Sequence, residues 1–251
     1  MKILKYFFLL TLASCLVSCK KNDSIIKTIP ISSLTFVNAI ADANPIINDY
    51  YGNVDIANNE YSNAPVPYTT SFEYSVPSGN TPLIWYQTTD TIHAIYKGTV
   101  DFKDDSIYSL FLCGTIAQPG SLLTVDNPPY HSAQDSTMGI RFINLSFGSN
   151  PVSVDIQGKI NGSEVTSLPY KNITGFKEYP ATYKVSDYVF EFRDAVSGTL
   201  LASFTISGVN NGDDGDTNNN NYRYKNITIV LSGIPGGSGN LAQTTFQVNN
   251  Y

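Results

Sequence analysis

Ile140-Arg141-Phe142-Ile143-Asn144-Leu145 alternates apolar side chains around one Arg and closes on Asn-Leu, which is a strand pattern that the chain writes twice. Leu34-Thr35-Phe36-Val37-Asn38-Ala39 has the same shape at an offset of 106 residues (140 − 34). A polar turn and an Asn-Pro pair follow each copy, Asn44-Pro45 in the first and Asn150-Pro151 in the second. The stretch reads as the opening strand of a duplicated domain.

The echo continues down the chain. Val66-Pro67-Tyr68 answers Leu168-Pro169-Tyr170, and Phe72-Glu73-Tyr74 followed by Pro77 answers Phe176-Lys177-Glu178-Tyr179-Pro180. Thr91-Ile92-His93-Ala94-Ile95-Tyr96 answers Thr199-Leu200-Leu201-Ala202-Ser203-Phe204 at an offset of 108 (199 − 91). Ser109-Leu110-Phe111-Leu112-Cys113-Gly114 answers Thr228-Ile229-Val230-Leu231-Ser232-Gly233 at an offset of 119 (228 − 109). The late jump sits in one Asn/Asp/Gly insertion from Asn210 to Asn221. Order is kept and drift falls in loops, as in a duplication whose strands are held by packing.

Composition agrees. The 251 residues accommodate two domains of about 100 residues each. Charged residues make up 14% and aromatics 12%, with seventeen Tyr and thirteen Phe, so the chain is rich in strand formers. Net charge is −6, which removes the electrostatic basis for nucleic-acid binding. Strands are expected over 34–39, 46–51, 70–75, 83–87, 93–100, 107–115 and 122–125, then 138–145, 152–160, 175–179, 188–194, 200–209, 226–231 and 244–248. Turns of Gly, Asn, Pro and Ser separate them. The expected fold is all-β: two tandem immunoglobulin-like antiparallel β-sandwiches after a lipoprotein signal peptide. The expected division is a signal peptide over 1–18, a lipidated tether over 19–30, sandwiches over 31–126 and 138–251, and a Pro-rich linker over 127–137.

The N-terminus carries the address. Lys2 and Lys5 precede an apolar run, Tyr6 to Ala13, that is too short to span a bilayer. Leu16-Val17-Ser18-Cys19 resembles the bacterial lipobox, which implies cleavage before Cys19 and a diacylglycerol on its thiol. Leu12-Ala13-Ser14-Cys15 is the alternative; polar Lys20-Lys21-Asn22-Asp23 after Cys19 favours the later site. A lipid-bearing Cys19 anchors the chain to a membrane without a spanning helix and leaves Cys113 as the one thiol of the mature chain. Cys113 aligns with Ser232, so it reads as a small strand residue. The expected location is the cell envelope, lipid-anchored at the outer membrane, on its periplasmic or surface face.

The order of an L/I-x-F-V/I-N strand, Asn150-Pro151-Val152-Ser153-Val154, Thr199-Leu200-Leu201-Ala202-Ser203-Phe204-Thr205-Ile206 and Asn226-Ile227-Thr228-Ile229-Val230-Leu231-Ser232-Gly233 is similar to domain-of-unknown-function family 4397. The likeness is closest over 140–233 and looser over 34–114, where Ile46-Ile47-Asn48-Asp49 replaces an alternating strand. It implies tandem immunoglobulin-like sandwiches in an envelope protein, with no known catalytic residues. Four triplets, Asp23-Ser24-Ile25, Asp90-Thr91-Ile92, Asp105-Ser106-Ile107 and Asp135-Ser136-Thr137, resemble the O-glycosylation sequon of exported Bacteroidota proteins.

Site chemistry is sparse. His93 reads as a half-buried strand residue, and His131 lies in the linker without a Cys or second His at metal spacing. No G-x-S-x-G turn supplies an activated Ser. Glu73 and Asp101 are carboxylates with no motif to pair them. The Gly-rich run from Gly233 to Gly239 opens no helix and reads as a loop, not a phosphate cradle. Asp213, Asp214 and Asp216 offer oxygen ligands to a hard cation such as calcium, but lack the spacing and closing Glu of an EF-hand; a solvated hairpin tip is the other reading. Trp85, Tyr86, Tyr50 and Tyr51 are the ligand-platform candidates, because exposed rings stack on sugars; alternation with Leu83 equally places Trp85 in a core. No cofactor and no catalysis are expected. The expected role is structural, adhesive or protein-interacting, with an envelope protein or a polysaccharide as partner. The alternative is a carbohydrate-binding accessory lipoprotein of a glycan-uptake system. Cys19→Ala should abolish incorporation of labelled palmitate and release the chain from the membrane fraction, whereas Cys15→Ala should leave both intact; the reverse pattern moves the lipid to Cys15.

Overall fold

The computed structural model describes residues 30–49, 65–132, 134–211 and 220–250. Cys15, Cys19, Tyr50, Tyr51, Asp213, Asp214 and Asp216 lie outside them. The first copy contains β1 (Ile31–Ile40), β2 (Ile46–Asp49), β3 (Thr70–Pro77), β4 (Gly79–Gln87), β5 (Tyr96–Phe102), β6 (Ile107–Gly114) and β7 (Pro119–Asp126). The second contains β8 (Thr137–Asn144), β9 (Val152–Ile156), β10 (Val165–Leu168), β11 (Asn172–Ile173), β12 (Lys177–Pro180), β13 (Tyr188–Asp194), β14 (Leu200–Ile206), β15 (Asn226–Ser232) and β16 (Thr244–Asn250).

Both copies are wired alike. One sheet of the first runs β3-β1-β6-β7 and its mate runs β2-β4-β5. In the second, β11-β8-β15-β16 faces β10-β9-β13-β14, and β12 also pairs with β8. The single strand β3 is thus split into β11 and β12, and β10 runs beside β9 where Val66 bridges Ile46 in the first copy. Pairing is antiparallel except between β1 and β6 and between β8 and β15, which run parallel. These are sandwiches in the immunoglobulin manner with their own strand order: the opening strand sits inside a sheet, not at its margin.

Each sandwich encloses its own core. Phe36 stacks on Trp85 with ring centroids 3.5 Å apart, among Leu34, Leu83, Phe102 and Leu110. Phe142 meets Phe190 edge-on at 5.1 Å, among Ile140, Val154, Phe192 and Ile229. An expected boundary moves. Strand β5 starts at Tyr96, so His93 lies in an exposed turn where the Asp90 carboxylate accepts its backbone N–H at 3.0 Å. The expected pairing of 91–96 with 199–204 therefore slips. Strands β10 and β11 escape the pattern because they are short and polar.

The repeated Asn makes the same corner twice. Asn38 donates its Nδ2 to the Val66 carbonyl at 3.0 Å, and Asn144 to the Leu168 carbonyl at 3.0 Å. Each carbonyl just precedes a Pro-Tyr pair. Each Asn Oδ1 also accepts the backbone N–H two residues on, at 3.2 Å from Ile40 and 3.0 Å from Ser146. After the Pro-Tyr pair the chain turns through the left-handed region at Thr69 (φ 64) and Lys171 (φ 62). A fully buried amide is tolerated here because its donor and its acceptor are both used. The Asn-Pro turn of the second copy is tied as well: Asn150 Nδ2 bonds Asp194 at 2.9 Å, and the Ser197 backbone N–H, with that amide, holds the Asp194 carboxyl down at about 2.

The two sandwiches pack sheet against sheet. Val37, Ala39, Phe111 and Cys113 on the outer face of β1 and β6 meet Ile143, Leu145, Val230, Phe246 and Val248 in a third apolar cluster. Hence β1, β6, β8 and β15 are buried on both faces, and the layers run as four stacked sheets. At one end of this contact Arg141 grips Asp126 through both terminal nitrogens, at 2.8 and 2.9 Å. Ser109 Oγ donates to the same carboxylate at 2.5 Å, and Phe176 lies under the guanidinium at 4.6 Å. Arg141→Ala should cost about 3–5 kcal/mol in urea unfolding, since it strands a buried carboxylate. Arg141→Met with Asp126→Leu should recover most of that loss; no recovery would show the charges themselves to be stabilising.

Candidate functional site

Reciprocal contacts relate the copies by an approximate two-fold. Tyr68 of the first donates to Ser232 Oγ of the second at 3.1 Å. Tyr170 of the second meets Cys113 Sγ of the first at 3.3 Å. Tyr68 corresponds to Tyr170, and Cys113 to Ser232, so each copy offers the other the same pair. Burial pushes the Tyr68 and Tyr170 phenols and the Cys113 thiol to higher pKa, further from the neutral range, which keeps all three protonated. Gly114 and Gly233 close the matching strands with φ 88 and φ 91. A Cβ on either would meet a backbone oxygen, Gln118 O at 2.4 Å or Ala242 O at 2.2 Å, which explains the repeated Gly.

The symmetry fails at one place, and a cleft opens there. By strand register, Arg141 corresponds to Thr35, and Asp126 to Asn250. Thr35 is too short to span as Arg141 does. Thr35 Oγ1 and Asn250 Nδ2 are buried and find no hydrogen-bond partner among the described residues. Asn250 lines a cleft of about 220 Å³ together with Glu73, Asn221, Tyr222, Lys225 and Gln247. Glu73 comes from β3 of the first copy; the others come from β15, β16 and the turn before β15. Thr228 Oγ1 donates to Asn250 Oδ1 at 2.5 Å, which fixes the amide with its N–H₂ spare. The cleft is smaller than the roughly 300–1,000 Å³ of typical small-molecule sites.

The sequence-derived candidates fall elsewhere. Trp85 is fully buried under Phe36 and Tyr74, so it serves the core and offers no platform. The correction follows from strand period: Trp85 shares the inner face with Leu83. Tyr86 points the other way, half-buried, opposite Ile47. Glu73 and Asp101 stand on different sheets, and Asp101 pairs with Lys103. His131 is buried and does acquire carboxylate neighbours: its ligand atoms, with those of Asp135 and Glu178, lie within 4.8 Å of one another. Its ring nitrogens are already bonded, to Thr137 Oγ1 at 2.9 Å and Asn226 Oδ1 at 3.0 Å. Donors around a zinc ion at about 2.0–2.2 Å stand closer together than this. The cluster ties the linker to β8 and β15. Sequence spacing could not show it, because Glu178 arrives from β12.

No protein-family model and no curated protein matches this chain. The Cys113 thiol should resist aromatic-disulfide reagents in the native Cys15→Ala/Cys19→Ala chain and react within minutes in urea; equal rates would mean that the interface between the copies opens freely.

Proposed function

We propose that the chain is a non-catalytic cell-envelope lipoprotein, anchored through Cys19, whose paired sandwiches serve as a rigid interaction or adhesion module. Its sequence resemblance to domain-of-unknown-function family 4397 points the same way. The observation that carries the reading is the sheet-on-sheet contact. Both copies spend an outer face on each other, and many of the described aromatic rings pack into three clusters. Such a body resists bending between its halves and holds its loops at fixed spacing from one another. The described carboxylates with buried side chains are engaged by Arg, Lys, Ser or Tyr and are not presented in a deep cleft: Asp126 by Arg141, Asp155 and Glu191 by Arg193, Glu164 by Lys177 and Tyr179.

Formaldehyde crosslinking in intact envelopes should trap the full-length chain in a discrete protein adduct that Cys19→Ala abolishes. Turnover of a glycoside or ester substrate by the purified chain, or an adduct pattern indifferent to Cys19, would overturn the proposal.

A further inference from the structure

We infer that the end of the body at which β1 begins rests on a lipid surface and touches it through Ile31, Val125, Tyr130, Tyr183 and Tyr224. This contact rests on the anchored-lipoprotein reading and is made by the folded body, beside the lipid on Cys19. Both copies point the same end the same way. Ser232, the last residue of β15, donates to the Ala39 carbonyl near the end of β1 at 3.1 Å. Arg141 of β8 bonds Asp126, which ends β7 opposite Ile107 at the start of β6. Just past Asp126, the Pro129 carbonyl accepts from the side-chain amide of Asn226, the first residue of β15, at 2.9 Å. The starts of β1, β6, β8 and β15 therefore share one end of the molecule.

Loops of both copies bring apolar groups to that end. Tyr130 follows Pro129; the Ala181 N–H bonds the Ser136 carbonyl at 2.7 Å and the Tyr224 N–H the Thr137 carbonyl at 2.8 Å, which sets the Tyr183 turn and Tyr224 beside the start of β8. Tyr130 is 88% exposed, Val125 71%, Tyr183 68% and Ile31 52%. By register Val125 corresponds to Asn249, an exposed polar residue, so the position itself does not call for an apolar side chain. Scattered singly, exposed apolar residues need no explanation; gathered at one end they mark a contact. The point of attachment selects the occupant. Ile31 stands twelve residues from Cys19 (31 − 19), a reach of about 40 Å at most. A lipid on Cys19 thus presents this end to the membrane at high effective concentration. Tyr rings favour the boundary of headgroups and acyl chains, where the ring is apolar-side and the hydroxyl is wet. Lys103, Lys184 and Lys225 stand there among Asp104, Asp105 and Asp187, so the contact does not depend on anionic headgroups.

The test uses the mature chain, Cys19 to Tyr251, coupled through Cys19 to a maleimide lipid in vesicles of phosphatidylcholine and phosphatidylethanolamine; Cys113 is buried and stays out of the coupling. Chemical coupling makes the outcome independent of whether cells acylate Cys19, which the palmitate experiment decides. Photoreactive p-benzoylphenylalanine replaces Tyr130 or Tyr183 at this end, or Ile92 or Val196 at the other. Ile92 and Val196 are as exposed, at 82% and 85%, and their turns are tied to the far end by the bonds of Thr88 to Pro45 and Ala195 to Pro151. Lipid adducts should form several-fold more often at 130 and 183. A tether alone also brings this end near lipid, so a second variant separates contact from proximity: Ile31→Ser with Val125→Asn, both exposed changes, should lower the adduct yield at 130 several-fold. Equal yields at the two ends overturn the inference, as does a yield at 130 unchanged in that variant. Joining of two copies of the chain at 130 or 183 in place of lipid overturns it in favour of self-association. Loss of the adducts at high salt overturns it as well, since a contact made by apolar and aromatic groups is not screened.

Discussion

Everything else in the molecule rests on the contact between the two central sheets. A β-sheet with one solvated face can stand alone; one with two apolar faces cannot. Val37 and Phe111 on one side, Ile143 and Val230 on the other, leave the outer faces of β1, β6, β8 and β15 with no place but against each other. The Asp126–Arg141 pair then sets the register of that contact. Dispersion and area would allow the sheets to slide, whereas a bidentate ion pair in a dry environment has one geometry. Its companion groups, Ser109, Thr228 and Phe176, surround it so that little polar surface is stranded.

The same constraint explains the parallel pair in each sheet. The opening strand must reach the middle of the sheet, between the third and sixth strands, and it arrives alongside the sixth in the same direction. The repeated Asn at its end makes this arrangement possible. By bonding the carbonyl ahead of the Pro-Tyr corner it pins the incoming third strand, or its split equivalent, beside the first. The Tyr of that corner then crosses to the other copy. One local motif thus serves the sheet edge and the interface together.

Much of this is legible in the amino-acid sequence. Duplication, strand type and most strand positions follow from spacing, because a half-buried strand leaves a period-two trace and a repeated one leaves it twice. The doubly buried strands are also written plainly, as Ile227 to Leu231 with hardly a polar break, yet a run of that kind does not say what covers its second face. The first copy misleads at 91–96, where Ile92 and Ile95 imitate a strand although Asp90 caps the turn around them. Trp85 shows the limit for sites: an aromatic on a strand is core or platform according to which face it takes, and that depends on the sheet opposite. The cleft is illegible altogether. Glu73 and Asn250 are far apart in sequence, and only the pseudo-two-fold shows that Thr35 and Asn250 lack the ion pair that Arg141 and Asp126 make.

The reciprocal Tyr68–Ser232 and Tyr170–Cys113 contacts have a consequence for how such a chain assembles. An isologous surface is what a free homodimer would use. Joining the halves by the short segment over 127–136 makes their association intramolecular, with an effective concentration in the millimolar range set by tether length. The two halves then never have to find each other by diffusion. Once the copies share one gene they are also released from being identical, so Arg141 can form an ion pair across the interface that its counterpart Thr35 does not.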